Sequence, residues 1–376
     1  MSEVSTQYVG LTSASAPERN ATGRYPAFGV YHAPAGKVPK TALVATHPVL
    51  DFAKHYLAER MAARGIGFLG WNTRYSRDEK NFEVGHSLID IGAGISWLRR
   101  QGVEKIGLIG NSGGGSLMAV YQAQASDPDT LKPERDCTLH AAVRDLPAAD
   151  FYLSLFAHPG RPEILTKWMD AAVIDEMDPA ATNPELDIFN PANGPAYSKE
   201  FVEHYQAEQI ARNHRITDWC IEELDRIKKK GLWDVPFFVH RTSADPRVLD
   251  GSIDPSGDLP TAPASEKTIQ ARRTRNYGIN GLSRVTSLRT WLGQFSLKES
   301  QLVGGPYLRS MSIPALVLVA TRDLLIFPKD WQGIYDDIAS EKTLVKFNTD
   351  HFAQAPDDMR DKVADAMADW LRERGG

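Results

Sequence analysis

The stretch "IGLIGNSGGGSL", residues 106–117, places a serine directly before three glycines. An apolar run typical of a buried strand, "KIGLIG" (105–110), leads into the serine, and a helix-like run, "GSLMAVYQAQA" (115–125), follows the glycines. Three interpretations compete: a phosphate-binding loop, a flexible linker, or a sharp turn that exposes the serine. The apolar segments on both sides argue against a linker.

The known phosphate-binding glycine motifs do not match this stretch. A P-loop has a lysine followed by serine or threonine after its second glycine, and that pair is missing here. A dinucleotide-binding fingerprint requires G-x-G-x-x-G, but Gly107 and Gly110 are misplaced and residue 112 is serine. The sequence therefore disfavours a nucleotide-binding turn.

The remaining interpretation is a nucleophile elbow with Ser112 at its apex. A direct turn from strand to helix strains the backbone of the serine and crowds the residues two before and two after it. Gly110 and Gly114 leave room at those positions. Ser112 would then lie at a helix N-terminus, where backbone N–H groups and the helix dipole favour an oxyanion. A tight turn whose serine only caps the helix is the alternative.

Strand-like and helix-like segments alternate on both sides of a long irregular region. Such alternation is typical of βαβ units and a mostly parallel sheet flanked by helices, so we predict the α/β class. The predicted strands are 41–48, 66–74, 105–110, 138–147, 313–323 and 343–351, and the predicted helices are 51–65, 87–102, 115–125, 331–342 and 358–375. We expect a first half of the core at 1–147, whose first ~25 residues form an arm, an insertion at 148–310, and a second half at 311–376.

Two residues at the ends of late predicted strands complete a constellation with Ser112. Asp323 ends a strand in "ATRDLLIFP", and His351 follows the last strand in "FNTDHFAQAP". The carboxyl ends of parallel strands share one edge of a sheet, where open α/β sheets carry their sites. The order serine, acid, histidine also fits a triad built on an elbow. Asp145, at the end of the predicted strand 138–147, is the alternative acid.

Three motifs resemble those of α/β-hydrolase-fold serine hydrolases: "GNSGGG" (110–115), "DLLIFP" (323–328) and the terminal "DH" (350–351). The resemblance covers residues 40–147 and 311–376. It implies an α/β-hydrolase fold with a large, mainly helical cap inserted after the sixth strand.

The resemblance also implies a role for each residue of the site. Ser112 is the nucleophile, His351 takes its proton, and Asp323 orients the imidazole. The backbone N–H groups of Gly113 and Val49 are expected to hold the oxyanion.

One dipeptide departs from the pattern of the family. A His-Gly pair often follows the third strand there, whereas this chain has His47-Pro48-Val49. The proline removes one N–H group and leaves that of Val49 available. His47 is expected to support the loop and not to act as the catalytic base.

Composition places the chain among ordinary globular proteins. The 376 residues are 42% hydrophobic and carry a net charge of −5, which gives no general attraction to nucleic acid or to anionic membranes. The only cysteines, Cys137 and Cys220, imply no disulfide framework. No basic region followed by an apolar core begins the chain, and no apolar run approaches the roughly 18 residues of a spanning helix. We therefore expect a cytoplasmic protein.

The sequence predicts a carboxylic ester hydrolase that acts on a small hydrophobic or aromatic ester or lactone, without a metal or organic cofactor. Carbon–carbon bond hydrolysis of a ring-cleavage product is the alternative, followed by thioesterase or acyltransferase activity and by a non-enzymatic binding module. The cap is expected to select the substrate. The charged helix around "EELDRIKKKG" (222–231) is interpreted either as a solvated surface or as the contact of a homodimer.

Overall fold

The computed structural model describes residues 3–15, 26–279 and 281–376, which divide into two compact units. Among the described residues, the first unit runs to Asp78 and also takes in Phe82–Gly160 and Gln301–Gly376. The second unit comprises Glu79–Asn81 and Arg161–Ser300.

The secondary structure alternates between strands and helices at both ends of the chain. The strands are β1 (Val4–Thr12), β2 (Pro26–Pro34), β3 (Thr41–Ala45), β4 (Gly67–Asn72), β5 (Lys105–Asn111), β6 (Phe151–Leu155), β7 (Pro236–Phe238), β8 (Val285–Ser287), β9 (Ala315–Ala320) and β10 (Lys342–Phe347). The helices are α1 (Ala58–Ala63), α2 (Val84–Arg100), α3 (Gly114–Ser126), α4 (Arg161–Trp168), α5 (Lys199–Lys228), α6 (Glu266–Tyr277), α7 (Leu288–Thr290), α8 (Gly305–Arg309), α9 (Pro328–Asp337) and α10 (Met359–Glu373). Within the described residues, no helix has both the length and the apolar character needed to cross a bilayer.

An eight-stranded sheet forms the centre of the first unit, in the order β1-β2-β4-β3-β5-β6-β9-β10. β2 pairs antiparallel with β1 and β4, and all other neighbours run parallel. In β3, Ala42 and Val44 pack into one core cluster while Leu43 and Ala45 pack into the other, which is why the strand is apolar along its length. The mostly parallel sheet confirms the predicted fold class, and its order is that of the α/β-hydrolase fold.

Helices cover both faces of this sheet. α2 and α3 contribute Leu88 and Leu117 to the core cluster on one face. α1 and α10 contribute Met61 and Val363 to the cluster on the other. The sheet is therefore buried on both sides, as a parallel sheet requires.

The N-terminal segment is not the expected arm. β1 pairs with β2 over nine residues, from Val4 opposite Pro34 to Thr12 opposite Pro26. Val9 has the only buried side chain in β1. Because an edge strand of this kind is held mainly by main-chain hydrogen bonds, its side chains show no hydrophobic pattern. The rest of the expected arm, residues 1–2 and 16–25, lies outside the described residues.

The prediction of a strand at 138–147 is wrong. Ala141–Asp145 form a 3-10 helix, and the Nδ1 atom of His140 caps it by accepting the N–H of Ala142 at 3.2 Å. The sixth strand is β6, whose five residues are all buried between β5 and β9. Both segments are short apolar runs, which hydrophobic periodicity alone does not separate.

The second unit is shorter than the expected insertion of 148–310. It begins at Arg161 because β6 and the residues up to Gly160 belong to the first unit. It ends at Ser300 and takes in Glu79–Asn81, which precede α2 in sequence. The boundary differs because the sixth strand lies later in the chain than the pattern predicts.

The second unit has hydrophobic cores of its own. Trp291 and Phe295 are fully buried in one of them, together with residues of α4 and α5. The 30-residue α5 begins at Ser198, whose Oγ accepts the N–H of Phe201 at 3.1 Å. These features make the second unit a folded body and not an irregular loop.

Candidate active site

The three residues of the predicted triad meet at one edge of the central sheet. Ser112 follows β5, Asp323 follows β9, and His351 follows β10. These parallel strands end on the same edge. The Oγ of Ser112 lies 3.0 Å from Nε2 of His351, and Nδ1 of His351 lies 2.6 Å from Oδ2 of Asp323. The three side chains thus form a continuous hydrogen-bonded chain.

The turn between β5 and α3 holds Ser112 in a left-handed backbone conformation, with φ of 52°. Close packing explains the glycines that follow it. A β-carbon on Gly114 would lie 2.3 Å from the carbonyl oxygen of Thr46. A β-carbon on Gly115 would lie 2.7 Å from Cβ of Ala157. The chain can therefore turn directly into α3 because these positions carry no side chain.

The carboxylate of Asp323 is buried and fixed on both of its oxygens. Oδ1 accepts the N–H groups of Leu325 at 2.7 Å and Ile326 at 3.2 Å, while Oδ2 faces His351. Asp145, the alternative acid, is exposed at the end of a 3-10 helix that precedes β6. It does not end the sixth strand. The structure places Asp323, and not Asp145, against the imidazole of His351.

The two expected oxyanion donors differ in their surroundings. The N–H of Gly113 has no hydrogen-bond acceptor among the described residues. The N–H of Val49, by contrast, donates to Nδ1 of His47 at 3.2 Å, and that of Leu50 donates to the same atom at 3.0 Å. His47 has the geometry of a loop-supporting residue. The amide of Val49 is already engaged, which corrects the expectation that it is available.

A buried histidine contacts Asn111, the residue that precedes Ser112 at the elbow. The Nε2 atom of His55 lies 3.0 Å from Oδ1 of Asn111, whose Nδ2 donates to the carbonyl oxygen of Leu155 at 2.8 Å. The Nδ1 atom of His55 accepts the N–H of Leu57 at 3.3 Å, so the proton is on Nε2. Burial lowers the pKa of His55 to about 4, which keeps the imidazole neutral at physiological pH.

The structure adds one residue that the sequence analysis missed. His158 follows β6, and its Nε2 lies 3.1 Å from the Oγ of Ser112. Its side chain is 5% exposed. Because the hydrophobic pattern predicts the sixth strand at 138–147, it assigns His158 to the cap. The aromatic run "FYLSL" (151–155) was the available signal, since a strand there ends just before the histidine.

No candidate metal site occurs in the part of the chain that the structure describes. No three or more histidine, cysteine, aspartate or glutamate side chains come close enough there to hold a metal ion.

Comparisons with known proteins give no family for this chain. No family model and no curated protein matches it. Among solved structures, it is similar to the esterase domain of a Rhodothermus marinus protein, at 12% identity over 98% of this chain and 99% of that chain, with a TM-score of 0.45. Dienelactone hydrolase from Anabaena variabilis is similar at 11% identity over 98% of both chains, with a TM-score of 0.42. The monoacylglycerol lipase of Paleococcus ferrophilus is similar at 13% identity over 98% of both chains, with a TM-score of 0.45. No activity is transferred from proteins this distant.

Proposed function

We propose that this protein is a serine hydrolase that cleaves a carboxylic ester or lactone of a small hydrophobic or aromatic substrate through an acyl-enzyme. The observation that supports the proposal is the hydrogen-bonded chain from Ser112 Oγ through His351 to Asp323, with distances of 3.0 and 2.6 Å. A serine hydroxyl is a weak nucleophile until an adjacent base takes its proton. This arrangement supplies that base and holds it in place.

In the acylation step, Ser112 Oγ attacks the carbonyl carbon of the substrate and its proton moves to Nε2 of His351. The carboxylate of Asp323 holds the proton on Nδ1 and stabilises the imidazolium that forms. The amide of Gly113 donates to the developing oxyanion, and a donor of this kind lowers the barrier by about 3 kcal/mol. The alcohol then leaves with the proton from His351.

In the deacylation step, a water molecule takes the place of the alcohol. His351 removes a proton from this water as it attacks the acyl carbon, and returns that proton to Ser112 Oγ when the acid leaves. The same groups therefore serve both halves of the cycle. Selection of the substrate by the cap, the insertion predicted at 148–310, stays a prediction.

Covalent labelling tests the nucleophile directly. A fluorophosphonate probe should label the wild-type protein rapidly, and Ser112→Ala should abolish that labelling. Ser116→Ala is the matched control, because Ser116 is a buried serine in the first turn of α3, just after the elbow. A wild-type protein that is folded but resists the probe would refute the proposal.

A substrate panel tests the reaction class. We expect turnover of p-nitrophenyl esters and small lactones, with a preference among acyl chains that reports the size of the pocket. Preferential cleavage of a 1,3-diketone or a dienone acid would instead support the carbon–carbon hydrolase alternative. Faster turnover of an acyl thioester than of its oxygen ester would support the thioesterase alternative.

A further inference from the structure

A second imidazole lies against the proposed nucleophile. Nε2 of His158 is 3.1 Å from Ser112 Oγ, and Nε2 of His351 is 3.0 Å from the same atom. The centroids of the two rings lie 6.3 Å apart, and the ring planes are inclined by 34°. The mechanism above uses only His351 and gives His158 no role.

The backbone around His158 is built onto the elbow. Phe156 has a left-handed backbone, with φ of 46°, and its N–H donates to the carbonyl oxygen of Leu318 at 3.0 Å. The N–H of His158 donates to the carbonyl oxygen of Ser112 at 2.9 Å. A left-handed conformation at a bulky residue is costly and is found mainly where the surrounding structure enforces it for function. The turn after β6 therefore places the second imidazole at Ser112.

The hydrogen bonds around the hydroxyl assign its single proton. Asp323 Oδ2 accepts from Nδ1 of His351, which leaves Nε2 of His351 with a lone pair toward the serine. The hydroxyl proton of Ser112 points at that lone pair. Nε2 of His158 can then form a hydrogen bond with Ser112 Oγ only as an N–H donor.

We infer that His158 is a second catalytic histidine, a hydrogen-bond donor at Ser112 Oγ that turns to the oxyanion as Oγ attacks the carbonyl carbon of the substrate. This inference rests on the proposed function. A donor at Oγ stabilises the negative charge that develops there as the proton leaves. An oxyanion is attached to the carbon that Oγ attacks, so it forms next to the same N–H group.

His158 also replaces a donor that the fold lacks. The amide of Val49, which was expected to hold the oxyanion, donates to His47 at 3.2 Å. Residue 48 is proline and has no N–H group. With Gly113 as the backbone donor, the imidazole N–H of His158 supplies a second one.

The proton balance of the reaction is unchanged by this role. As the Oγ–carbon bond forms, the carbonyl π pair becomes the oxyanion and the proton of Ser112 moves to His351. When the oxyanion collapses, the bond to the leaving group breaks and His351 protonates that group. His158 keeps its own proton throughout and contributes hydrogen bonds only.

Two substitutions separate the donor from the ring. His158→Gln keeps an N–H donor without the ring, and His158→Phe keeps a ring without a donor. Hydrolysis of p-nitrophenyl acetate should lose about 10²- to 10³-fold in kcat in His158→Phe, the usual loss for an oxyanion donor, with little change in KM. His158→Gln should stay within about tenfold of the wild type, since the amide supplies the same hydrogen bond. His204→Ala, at an exposed histidine of α5, is the matched control.

Binding of phenylboronic acid gives a readout that a merely structural role would not change. Its serine adduct is tetrahedral and resembles the transition state, so its affinity should fall in His158→Phe in step with kcat/KM. Thermal unfolding of both variants checks that each one is folded.

Three outcomes would overturn the inference. Full activity of His158→Phe would show that the ring packs and does not donate. Equal inactivation of folded His158→Gln and His158→Phe would indicate a role as a base. A wild-type protein that neither reacts with fluorophosphonate nor hydrolyses esters would refute the proposed function as well, whereas the first two outcomes leave that function intact.

Discussion

Ser112 combines a strained backbone with a well-held position. A left-handed conformation costs a non-glycine residue about 1–3 kcal/mol, so neighbouring groups must enforce it. The N–H of Ser112 donates to the carbonyl oxygen of Leu155 at 3.2 Å, and its own carbonyl accepts from Gly115 at 3.1 Å and from His158 at 2.9 Å. These bonds hold the backbone of Ser112 in place before any substrate arrives, which is the preorganisation that the proposed chemistry needs.

Replacing Asp323 by Asn is expected to lower kcat by about 10⁴-fold, because an amide favours the wrong tautomer of His351. Ester hydrolysis at neutral pH measures the effect. Asp145→Asn, at an exposed acid, should leave the rate unchanged. The reverse result, with activity lost only in Asp145→Asn, would show that the acid is assigned wrongly.

His55 should make the folded state sensitive to acid. Its pKa is about 4 in the folded protein against 6.5 when exposed, so between these values the unfolded chain binds a proton that the folded one rejects. The stability that His55 contributes is complete above pH 6.5 and falls as the pH drops toward 4, by up to about 3 kcal/mol.

Urea unfolding at several pH values tests this expectation. In His55→Gln, which cannot titrate but can still donate to Asn111, the free energy of unfolding should depend less on pH between 6.5 and 4. An identical pH dependence in the variant and the wild type would mean that other groups cause it.

At the scale of elements, the β5–α3 turn depends on the close approach of three backbone segments. A β-carbon on Gly110 would lie 2.7 Å from Cα of Gly115, and Gly114 faces the carbonyl of Thr46 after β3. Backbone atoms cannot move aside as a flexible side chain does. The glycines therefore set how closely α3 packs on the sheet.

Gly114→Ala is expected to destabilise the fold by about 3 kcal/mol or more, because the new methyl group would overlap the Thr46 carbonyl. Gly333→Ala is the matched control, since nothing lies within 4 Å of its β-carbon position in α9. That change should stabilise the protein by about 0.5–1 kcal/mol through helix propensity. Urea unfolding measures both, and equal stabilities would contradict the packing argument.

At the scale of the whole molecule, the two units each carry a buried network of their own. In the second unit, Asp170 is fully buried, and its Oδ2 accepts from Arg241 and from Asn276 at 2.7 Å each. In the first unit, Arg74 and Asp90 form a buried pair at 2.7 Å. A buried charge that loses its partner is strongly destabilising.

Asp170→Asn should cost about 3–5 kcal/mol, because the buried guanidinium of Arg241 loses its countercharge. Hydrogen exchange should show the loss concentrated in residues 161–300. Glu203→Gln is the control, since its ion pair with Lys199 is exposed and such pairs are worth at most about 1 kcal/mol. Similar unfolding free energies for the two variants would contradict the expectation.

The sequence by itself determined the α/β class and the positions of Ser112, Asp323 and His351 at strand ends. Fully buried parallel strands such as β3 and β9 are continuous apolar runs, so local composition identifies them. A serine between small residues is likewise a local steric pattern.

Tertiary structure alone decided the edge strand β1, the choice of Phe151–Leu155 over residues 138–147 as the sixth strand, and the contact of His158 with Ser112. β1 depends on main-chain pairing with β2, which leaves no hydrophobic pattern. His158 and Ser112 are 46 residues apart, and parallel pairing of β5 with β6 brings them together. Local periodicity indicates which residues are buried but not which strands are neighbours. The contact of His158 with Ser112 depends on the pairing of β5 with β6.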